Sequence, residues 1–420
     1  MNYKSHSMDY PKKRLIIGDS LVSHIGECGD TTIVSLRGGK VENFLIYIIN
    51  NFDFISSFEC IILHFGTNNL SEKVSNMNYF VEHYKLILMI LCMSKIKCIL
   101  LSSVIPRLDH INREVVVEAN KQLKDLVAEI NKICKGKLYF IPTSRLFTHY
   151  SFGKVTGLKE NLFWEDKLHF SHKGNGILRN YFIQKFNYHG YPICKTNIPK
   201  PLIYRREFWE KKQKFLKFDR KIFAGFQVLN FIDSMPRSIA GVSVICYEPN
   251  FISSDDSLLL FDDLCKCVNF SRKKNEPRET AWYADVDYYY SGIVQKGNPN
   301  WPHPLKDLRS QLEQYLCTSF NSVLCNYYSD GKSSIAAHAD DEEQLSRYPI
   351  IASISLKQKR TFNIREKGKG KTLKLDLVSG SLLVMMGATQ LQYLHSMKKS
   401  RVKDLDPRIN LTFRYTYEKK

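Results

Sequence analysis

The sequence has no C-x-x-C pair and no regular cysteine spacing, although it contains 11 cysteines in 420 residues. An odd number of scattered cysteines does not build the disulfide framework that stabilises small secreted domains. We therefore expect buried or free thiols and a protein from a reducing compartment, in the nucleus, the cytoplasm or both.

The sequence also lacks an unbroken apolar run long enough to cross a membrane. The most apolar stretch, residues 86–105, is interrupted by Lys95 and Lys97, and it is typical of a helix end followed by a buried strand. The first fifteen residues are polar and basic, so no signal peptide is expected. These absences predict a protein without a membrane partner, whereas the oligomeric state has no sequence signal.

Negative charge is comparatively scarce. The 42 Asp and Glu residues face 61 Lys and Arg residues, which gives a formal net charge of +19. Such an excess favours contact with a polyanion such as nucleic acid, although it could instead serve solubility. The hydrophobic and aromatic fractions, 44% and 12%, are those of a globular protein, and the length suggests two or three domains.

The C-terminal half contains a residue pattern typical of a metal site. His338 and Asp340 lie one residue apart in LCNYYSDGKSSIAAHADDEE (324–343), and His395 follows in LQYLHSM. An H-x-D pair alone means little, because buried His–Asp pairs often only satisfy each other. Two histidines and one carboxylate, however, form the ligand set of non-haem Fe(II) and leave three coordination positions open.

A strand-like segment, RINLTFR (408–414), lies near the C-terminal end of the sequence. Side chains alternate between the two faces of a strand, so one face carries Arg408, Asn410, Thr412 and Arg414, and the other is apolar. Buried guanidinium groups require an anionic partner, and a dicarboxylate is the natural match. The ligand set and the arginines together point to an iron- and 2-oxoglutarate-dependent dioxygenase.

Several ordered blocks resemble the AlkB family, most closely its animal members that remove alkyl groups from DNA and RNA bases. The blocks are HADDE (338–342), PIIASISL (349–356), KRTFNIREK (359–367), SGSLLVMMGATQ (379–390) and PRINLTFR (407–414). The similarity extends back through ETAWYADVDYYYSG (279–292) and covers about residues 240–418. The region 235–418 contains strands and Gly turns, with few clear helices other than the one over 304–320. It is predicted to be a mainly-β domain, a double-stranded β-helix or jelly roll.

The resemblance also implies roles for individual residues. The iron ligands are matched by His338, Asp340 and His395. Arg408, assisted by Tyr328, matches the arginine that binds the distal carboxylate of 2-oxoglutarate. Arg414 and Asn326 match groups near the proximal carboxylate, and molecular oxygen would take the remaining position on iron.

The expected substrate is a nucleic-acid base. The segment that matches the family's nucleotide-recognition lid contains the aromatic residues Trp282, Tyr283, Tyr288 and Tyr290. Enzymes that act on a base hold it against aromatic side chains outside the stack, although a core strand is an equally good interpretation of each aromatic residue. Asp341 and Glu342 match positions that face the base. A carboxylate suits a cationic base such as 1-methyladenine or 3-methylcytosine, but either could be a solvated loop charge.

Residues 14–190 alternate between apolar strands and helices. The sequence predicts strands in RLIIGDS (14–20), CIILHFGTNN (60–69), KCILLSSVIP (97–106) and KLYFIP (137–142), with helices over 75–94 and 111–134. This pattern is typical of a three-layer α/β fold. In such folds, functional residues gather at the carboxyl ends of parallel strands.

Short blocks in this half carry the parts of a serine hydrolase site. They contain Ser20 in GDS, Gly38 in SLRGGKV, Asn68 in FGTNN, and Asp166 with His169 in EDKLHFSHKGNGIL. The D-x-x-H spacing lets Asp166 orient His169, which could take a proton from Ser20. The Ser20 and Gly38 amides and the Asn68 side chain could stabilise an oxyanion.

In this order the blocks resemble the SGNH/GDSL hydrolase family, whose fold is flavodoxin-like, over about residues 12–190. SLRGGKV and LHFGTNN are similar to the esterase-like domains of some retroelements. The sequence departs from the family at Asn69, where Asp is usual and where the residue is expected to shape the loop. A degenerate domain kept for binding is the alternative. His149 and His172 are interpreted as surface or core histidines.

Residues 191–234 are predicted to link the two domains. Within them, IYRREFWEKKQKFLKFDRK (203–221) interleaves basic residues with the aromatic side chains of Phe208, Trp209, Phe215 and Phe218. The segment could lie on a phosphate backbone, but an amphipathic linker helix is the favoured interpretation.

The sequence therefore predicts an SGNH-type hydrolase fold joined to an AlkB-type dioxygenase that oxidatively dealkylates nucleic-acid bases. Other functions stay open. They are hydrolysis of acyl or acetyl esters by Ser20, Asp166 and His169, nucleic-acid binding in a mobile element, and modification of a protein side chain.

Overall fold

The computed structural model describes residues 13–70, 77–107, 113–134, 136–151, 154–193, 202–204, 220–223, 226–231, 242–272, 276–290, 293–368, 372–400, 402 and 405–418. The chain divides into two compact units, Met1–Lys212 and Gln213–Lys420. Among the helices of these described ranges, none combines the length and apolarity needed to cross a bilayer.

The N-terminal unit is built on a six-stranded parallel sheet. Its strands are β1 (Arg14–Gly18), β2 (Thr32–Leu36), β3 (Cys60–His64), β4 (Cys98–Ser102), β5 (Leu138–Ile141) and β8 (Leu202–Tyr204), in the spatial order β5-β4-β3-β1-β2-β8. A separate antiparallel hairpin consists of β6 (Thr148–Ser151) and β7 (Lys154–Leu158). The helices are α1 (Val41–Asn50), α2 (Phe52–Ser56), α3 (Met77–Cys92), α4 (Arg113–Cys134) and α5 (His172–Tyr188).

The alternation of strands and helices predicted for this half is confirmed. Strands β1, β3 and β4 are buried along their whole length, as expected when helices cover both faces of a parallel sheet. Helices were predicted over 75–94 and 111–134, and α3 and α4 lie there with nearly the same bounds. Strand β2 was not predicted, because its five residues lie between two glycine-containing turns and have no repeat long enough to show a period.

The C-terminal unit is rich in strands, which form one eight-stranded and one four-stranded sheet. The strands of the larger sheet are β9 (Arg220–Phe223), β10 (Phe226–Phe231), β11 (Ser243–Glu248), β12 (Glu279–Ala284), β15 (Ser322–Tyr328), β17 (Ile351–Lys357), β20 (Ser381–Gly387) and β22 (Arg408–Arg414). Their spatial order is β12-β15-β22-β17-β20-β11-β10-β9. The smaller sheet consists of β16 (Ile335–His338), β18 (Arg360–Glu366), β19 (Thr372–Leu377) and β21 (Tyr393–Met397), and β13 (Tyr288–Tyr290) pairs with β14 (Ile293–Gln295).

The two sheets share one apolar core, in agreement with the predicted jelly roll. Ile245, Ile351 and Leu383 of the larger sheet pack in one cluster with Ile364 and Leu375 of the smaller sheet. The helices of this unit are α6 (Ser254–Cys267), α7 (His303–Leu316) and α8 (Thr389–Gln392). Helix α7 was expected over 304–320, whereas α6 was not predicted.

The segment 191–234, predicted as a linker, contributes strands to both units. Strand β8 pairs with β2, and β9 and β10 pair with each other beside β11. The basic aromatic stretch around Phe208, Trp209, Phe215 and Phe218 lies outside the described residues.

Two strand pairings position the C-terminal site. Strand β22 lies between β15 and β17, with Arg408 opposite Tyr328 and Asn410 opposite Asn326. In the smaller sheet, the last residue of β16, His338, lies opposite His395 of β21. The register of these strand pairings therefore brings together residues that are far apart in sequence.

Candidate functional site

The two histidines and the aspartate predicted as metal ligands form one cluster. The Nε2 atoms of His338 and His395 lie 3.5 Å and 3.9 Å from Oδ1 of Asp340. The two imidazole centroids are 4.2 Å apart, and one ligand atom from each of the three residues lies within 4.8 Å of the others. Three donors this close, converging from two strands and the following turn, fit a single metal ion.

The Asp340 carboxylate is buried, with 4% exposure, and its two oxygens have different partners. Arg414 donates its Nε–H and an Nη2–H to Oδ2 at 3.0 Å and 2.7 Å, so Oδ1 is left to face the imidazoles. Burial alone would raise the pKa of Asp340, but Arg414 and the two histidines hold that pKa well below its usual range. The carboxylate is therefore ionised, which is the form that binds a metal ion.

Both imidazoles can present a lone pair to the cluster. Burial lowers the pKa of His395 to about 4, so this ring is neutral at physiological pH. Nδ1 of His338 lies 2.9 Å from the carbonyl oxygen of Ala336. Because a carbonyl only accepts, Nδ1 carries the proton, and Nε2 is the atom that faces Oδ1 of Asp340 and could bind a metal ion.

Arg408, a buried cation, lines the same pocket as the three residues of this cluster. Arg408 is 2% exposed and donates an Nη2–H to Oγ of Ser355 at 2.8 Å, and its guanidinium carbon lies 5.2 Å from the Tyr328 ring centroid. Burial lowers the pKa of Arg408 to about 10, which still leaves the side chain charged at neutral pH. Among the described residues, its Nε–H has no acceptor. A buried guanidinium with a free donor fits a carboxylate of a small ligand.

One pocket brings most of the predicted residues together. Its lining includes Trp282, Tyr288, Asn326, Tyr328, His338, Asp340, Glu342, His395, Arg408 and Arg414. The polar face of β22 points into this pocket, since Asn410 and Thr412 also line it. Ile409, Leu411 and Phe413 are fully buried on the other face, as the alternation predicted.

Two residues predicted to contact the base do not line the pocket. Tyr283 is 5% exposed and follows Trp282 in β12, so alternation directs its side chain to the opposite face of the sheet. Asp341 is half-exposed and accepts a hydrogen bond from Nζ of Lys367 at 3.3 Å, so it is the solvated loop charge that was the alternative interpretation. The side chain of Tyr290 lies outside the described part of the chain.

Trp282, Tyr288 and Glu342 form an aromatic and acidic wall of the pocket. The rings of Trp282 and Tyr288 stack with centroids 4.9 Å apart at 23°. Glu342 shares a hydrogen bond with Tyr288. Burial and the Asp340 charge raise the pKa of Glu342. Its Oε2 is buried and has no partner among the described residues.

The sequence analysis missed several pocket residues on β12 and the segment before it. Arg278 lines the pocket and donates its Nε–H to Oδ1 of Asn326 at 2.7 Å, so an asparagine expected beside the cofactor has a protein partner. Thr280 and Glu276 line the same wall. A signal was available, because these residues lie at even spacing before Trp282 and so fall on its face of an extended chain.

The parts of the predicted hydrolase site also lie together, in a pocket of the N-terminal unit. Its lining includes Ser20, Gly38, Asn68, Asp166 and His169. Oδ2 of Asp166 is 2.7 Å from Nδ1 of His169, and Oδ1 accepts the amide of His169 at 2.9 Å. Burial opposes ionisation of Asp166, but the hydrogen bonds from His169 outweigh it and lower the pKa of this carboxyl.

Three further residues were interpreted near this site: Asn69, where the sequence departs from the resembled family, and the histidines His172 and His149. Oδ1 of Asn69 accepts the amide of Val41 at 2.8 Å and its Nδ2 donates to Glu42 at 3.3 Å, so this residue shapes the loop against the start of α1. His172, interpreted as a surface or core histidine, is exposed and lines the pocket, where it contacts Trp164 edge to face. His149 is exposed on β6 and is not in the pocket lining.

Comparison with known proteins gives matches to oxygenases. The profile of the 2OG-Fe(II) oxygenase superfamily matches residues 266–414. Alpha-ketoglutarate-dependent dioxygenase alkB homolog 3 of Mus musculus is 37% identical over 197 residues, which are 43% of this chain and 68% of that protein. The Homo sapiens protein of the same name is 36% identical over the same shares, and DNA oxidative demethylase ALKBH2 of Bos taurus is 37% identical over 161 residues, 36% of this chain and 57% of its own length.

Proposed function

The chain belongs to the AlkB-type proteins of the 2OG-Fe(II) oxygenase superfamily, and from this premise we propose that it removes alkyl groups from cationic nucleic-acid bases. Membership makes it an enzyme that depends on Fe(II) and 2-oxoglutarate, as predicted. One observation carries the proposal for the substrate. The cluster of His338, Asp340 and His395 shares a pocket with the stacked rings of Trp282 and Tyr288 and with the partly buried carboxyl of Glu342.

In this proposal His338, Asp340 and His395 hold the iron. Fe(II), with 2-oxoglutarate and molecular oxygen, supplies the oxidising chemistry that hydroxylates the alkyl carbon on the base nitrogen. The carbinolamine product then breaks down to the unmodified base and an aldehyde. Two contacts within the chain orient the iron ligands. Arg414 fixes the Asp340 carboxylate, and the carbonyl of Ala336 fixes the tautomer of His338.

Arg408 is proposed to bind the distal carboxylate of 2-oxoglutarate, with Tyr328 beside it. Its burial and its free Nε–H support this role, since a carboxylate would both satisfy the donor and neutralise the charge. Arg414 and Asn326 were expected near the proximal carboxylate. Their present partners, Asp340 and Arg278, support a structural role in aligning that wall of the pocket.

Trp282 and Tyr288 are proposed to hold the flipped base, and Glu342 to recognise its charge. A base methylated at a ring nitrogen that normally accepts a proton carries a positive charge. A carboxylate with an unpaired oxygen in a buried wall favours such a cation over the neutral parent base. This preference would release the repaired base once its charge is lost.

The test is product formation by the full chain reconstituted anaerobically with Fe(II). Oligonucleotides of DNA and of RNA carrying 1-methyladenine or 3-methylcytosine are supplied with and without 2-oxoglutarate, and formaldehyde and succinate are measured. We expect both products only with iron, 2-oxoglutarate and the methylated base, with loss of both in His338→Ala. His303→Ala, which changes an exposed histidine on α7, is the matched control and should keep full activity.

Other outcomes have clear meanings. Succinate without formaldehyde would leave the iron site intact and reject nucleic-acid bases as the substrate. In that case protein side chains become the alternative. Absence of both products despite bound iron would reject the dioxygenase proposal for these substrates.

We propose a second activity, ester hydrolysis by Ser20, for the N-terminal unit. The observation that favours it is the 2.7 Å contact between Asp166 and His169 in the pocket that also contains Ser20, Gly38 and Asn68. In this role His169 takes the hydroxyl proton and Asp166 keeps its ring oriented. The full chain should react with a fluorophosphonate probe at Ser20, and Ser20→Ala and His169→Ala should abolish labelling. Ser57→Ala, at an exposed serine outside the pocket lining, is the control, and labelling that survives Ser20→Ala would reject the proposal.

A further inference from the structure

The pocket around Ser20 contains basic groups that ester hydrolysis itself does not require. Among its described lining residues, Asp166 is the only carboxylate, and it is paired with His169. The other ionisable side chains in the lining are those of Arg37, His24 and His172. Arg37 is therefore the permanently charged cation of this described lining, and an anionic group on a bound molecule would be its matching partner.

We propose that this pocket takes an ester that also carries an oxyanionic group, a carboxylate or a phosphate, and that Arg37 binds that group. The inference rests on the proposed hydrolase activity of the N-terminal unit, for which it names the substrate class. Arg37 is the specificity-determining residue, and it contacts the substrate but not the reacting atoms.

The environment of Arg37 supports this role. It is half-buried, and its Nη2 lies 3.2 Å from Nε2 of His24. Arginine only donates, so His24 must accept and its ring is neutral. Burial, Arg37 and His169 all lower the pKa of His24, which agrees with the neutral form. His24 therefore orients the guanidinium without neutralising its charge.

Arg37 also has an unused donor. Its Nε atom is buried and has no hydrogen-bond partner among the described residues. A buried donor on a charged group is costly when it stays unpaired, and a carboxylate or phosphate oxygen supplies the missing acceptor. A neutral ester offers no comparable partner, so binding energy would separate the two classes of substrate.

The position of Arg37 places the anion close to the reacting carbonyl. Arg37 directly precedes Gly38, whose amide is a proposed oxyanion donor and whose φ of 69° only glycine adopts readily. The charged group should thus lie a few bonds from the ester carbon. Trp164, 48% exposed in the same lining, provides an apolar surface for the rest of the molecule.

The test compares two esters of the same alcohol with acyl chains of the same length. The full chain is assayed with 4-methylumbelliferyl butyrate, which is neutral, and with the 4-methylumbelliferyl hemisuccinate, which ends in a carboxylate. We expect a higher kcat/KM for the hemisuccinate, and a fall in the hemisuccinate-to-butyrate ratio of roughly tenfold to hundredfold in Arg37→Gln. Arg37→Lys should keep part of the preference, and Arg113→Gln, an exposed arginine outside the pocket, should keep all of it.

A binding measurement separates this inference from the hydrolase proposal. Monoethyl succinate, monoethyl phosphate and ethyl butyrate are titrated calorimetrically into Ser20→Ala and into Ser20→Ala with Arg37→Gln. Binding of either anion that depends on Arg37 supports the anion site, even if no ester is hydrolysed and the hydrolase proposal fails, and the tighter anion identifies carboxylate or phosphate. Hydrolysis of both esters with a ratio unaffected by Arg37→Gln overturns the anion site and leaves the hydrolase. Absence of both hydrolysis and anion binding overturns both.

Discussion

Arg408 shows how a single buried charge can define a ligand. Its guanidinium is held by Ser355 and Tyr328, and its Nε–H has no acceptor among the described residues. The proposed role in binding 2-oxoglutarate predicts a specific kinetic signature.

Arg408→Gln should raise the KM for 2-oxoglutarate by about tenfold to hundredfold, because a charge-assisted hydrogen bond is lost while the iron ligands remain. Succinate formation against 2-oxoglutarate concentration measures it. Arg365→Gln, an exposed arginine on β18, is the matched control. An unchanged KM in Arg408→Gln would assign the distal carboxylate to another residue.

Asp19 is a second buried charge, directly before Ser20. It is 1% exposed, and its Oδ1 accepts the Leu21 amide at 3.0 Å. Burial raises the pKa of Asp19 from 3.8 to about 7. An acid with a higher pKa in the folded chain binds its proton more tightly when folded. Its stabilising contribution is therefore complete below the unfolded value and is lost as the pH rises through about 7.

Asp19→Asn should remove this pH dependence, because asparagine keeps the acceptor for Leu21 and does not ionise. The free energy of unfolding of the wild type, relative to the variant, should fall by up to about 4 kcal/mol between pH 4 and pH 8. Urea unfolding at several pH values measures it, with the exposed Asp53→Asn as the control. A constant difference between wild type and Asp19→Asn would contradict the prediction.

At the scale of elements, helix α6 depends on its first residues. Ser253 caps it, since Oγ accepts the Asp256 amide at 3.1 Å and donates to the Asp256 carboxylate at 2.6 Å. Ser253→Ala should lower the free energy of unfolding by about 1 kcal/mol. Urea unfolding and amide hydrogen exchange along α6 measure this effect. Ser254→Ala, at the neighbouring exposed position, should change much less.

The strength of each sequence prediction depended on how local its signal was. Strand β22 was predicted residue by residue, because alternation is a property of the strand itself and Arg408 and Arg414 fall on one face whatever lies beside it. The carboxylate that pairs with Arg414 is 74 residues away in sequence, and no local pattern indicates it. Alternation also excludes Tyr283 from the wall that Trp282 lines.

Some elements carried signals that were not used. Helix α6 begins with a serine cap and two aspartates in its first turn, which is a typical helix start. The alternation that predicts the two faces of β22 also places Arg278 on the face of Trp282, because the two residues are an even number of positions apart. The sequence predicts one site from residues 338–340 and 395 because their types suit iron and their blocks resemble the AlkB family, whereas their register in the sheet is a tertiary property.

At the scale of the whole molecule, the chain has two units, and each candidate site is lined by residues of one unit. The limits 12–190 and 235–418 stay a prediction. Because the described lining residues of each pocket all come from one unit, the two proposed reactions should be separable. Ser20→Ala should leave formaldehyde release unchanged, and His338→Ala should leave fluorophosphonate labelling unchanged. Both variants are assayed for both reactions. If the substitution at one site abolished the reaction proposed for the other site, the two reactions would be coupled.

The free donor on Arg408 also has a consequence for the lifetime of the protein. A folded chain that keeps this cation buried without an anion carries a free-energy cost that the unfolded chain does not. A dicarboxylate that binds only the folded form shifts the folding equilibrium in proportion to the logarithm of its concentration. The supply of 2-oxoglutarate would then govern how much of the protein resists proteolysis as well as how fast it turns over.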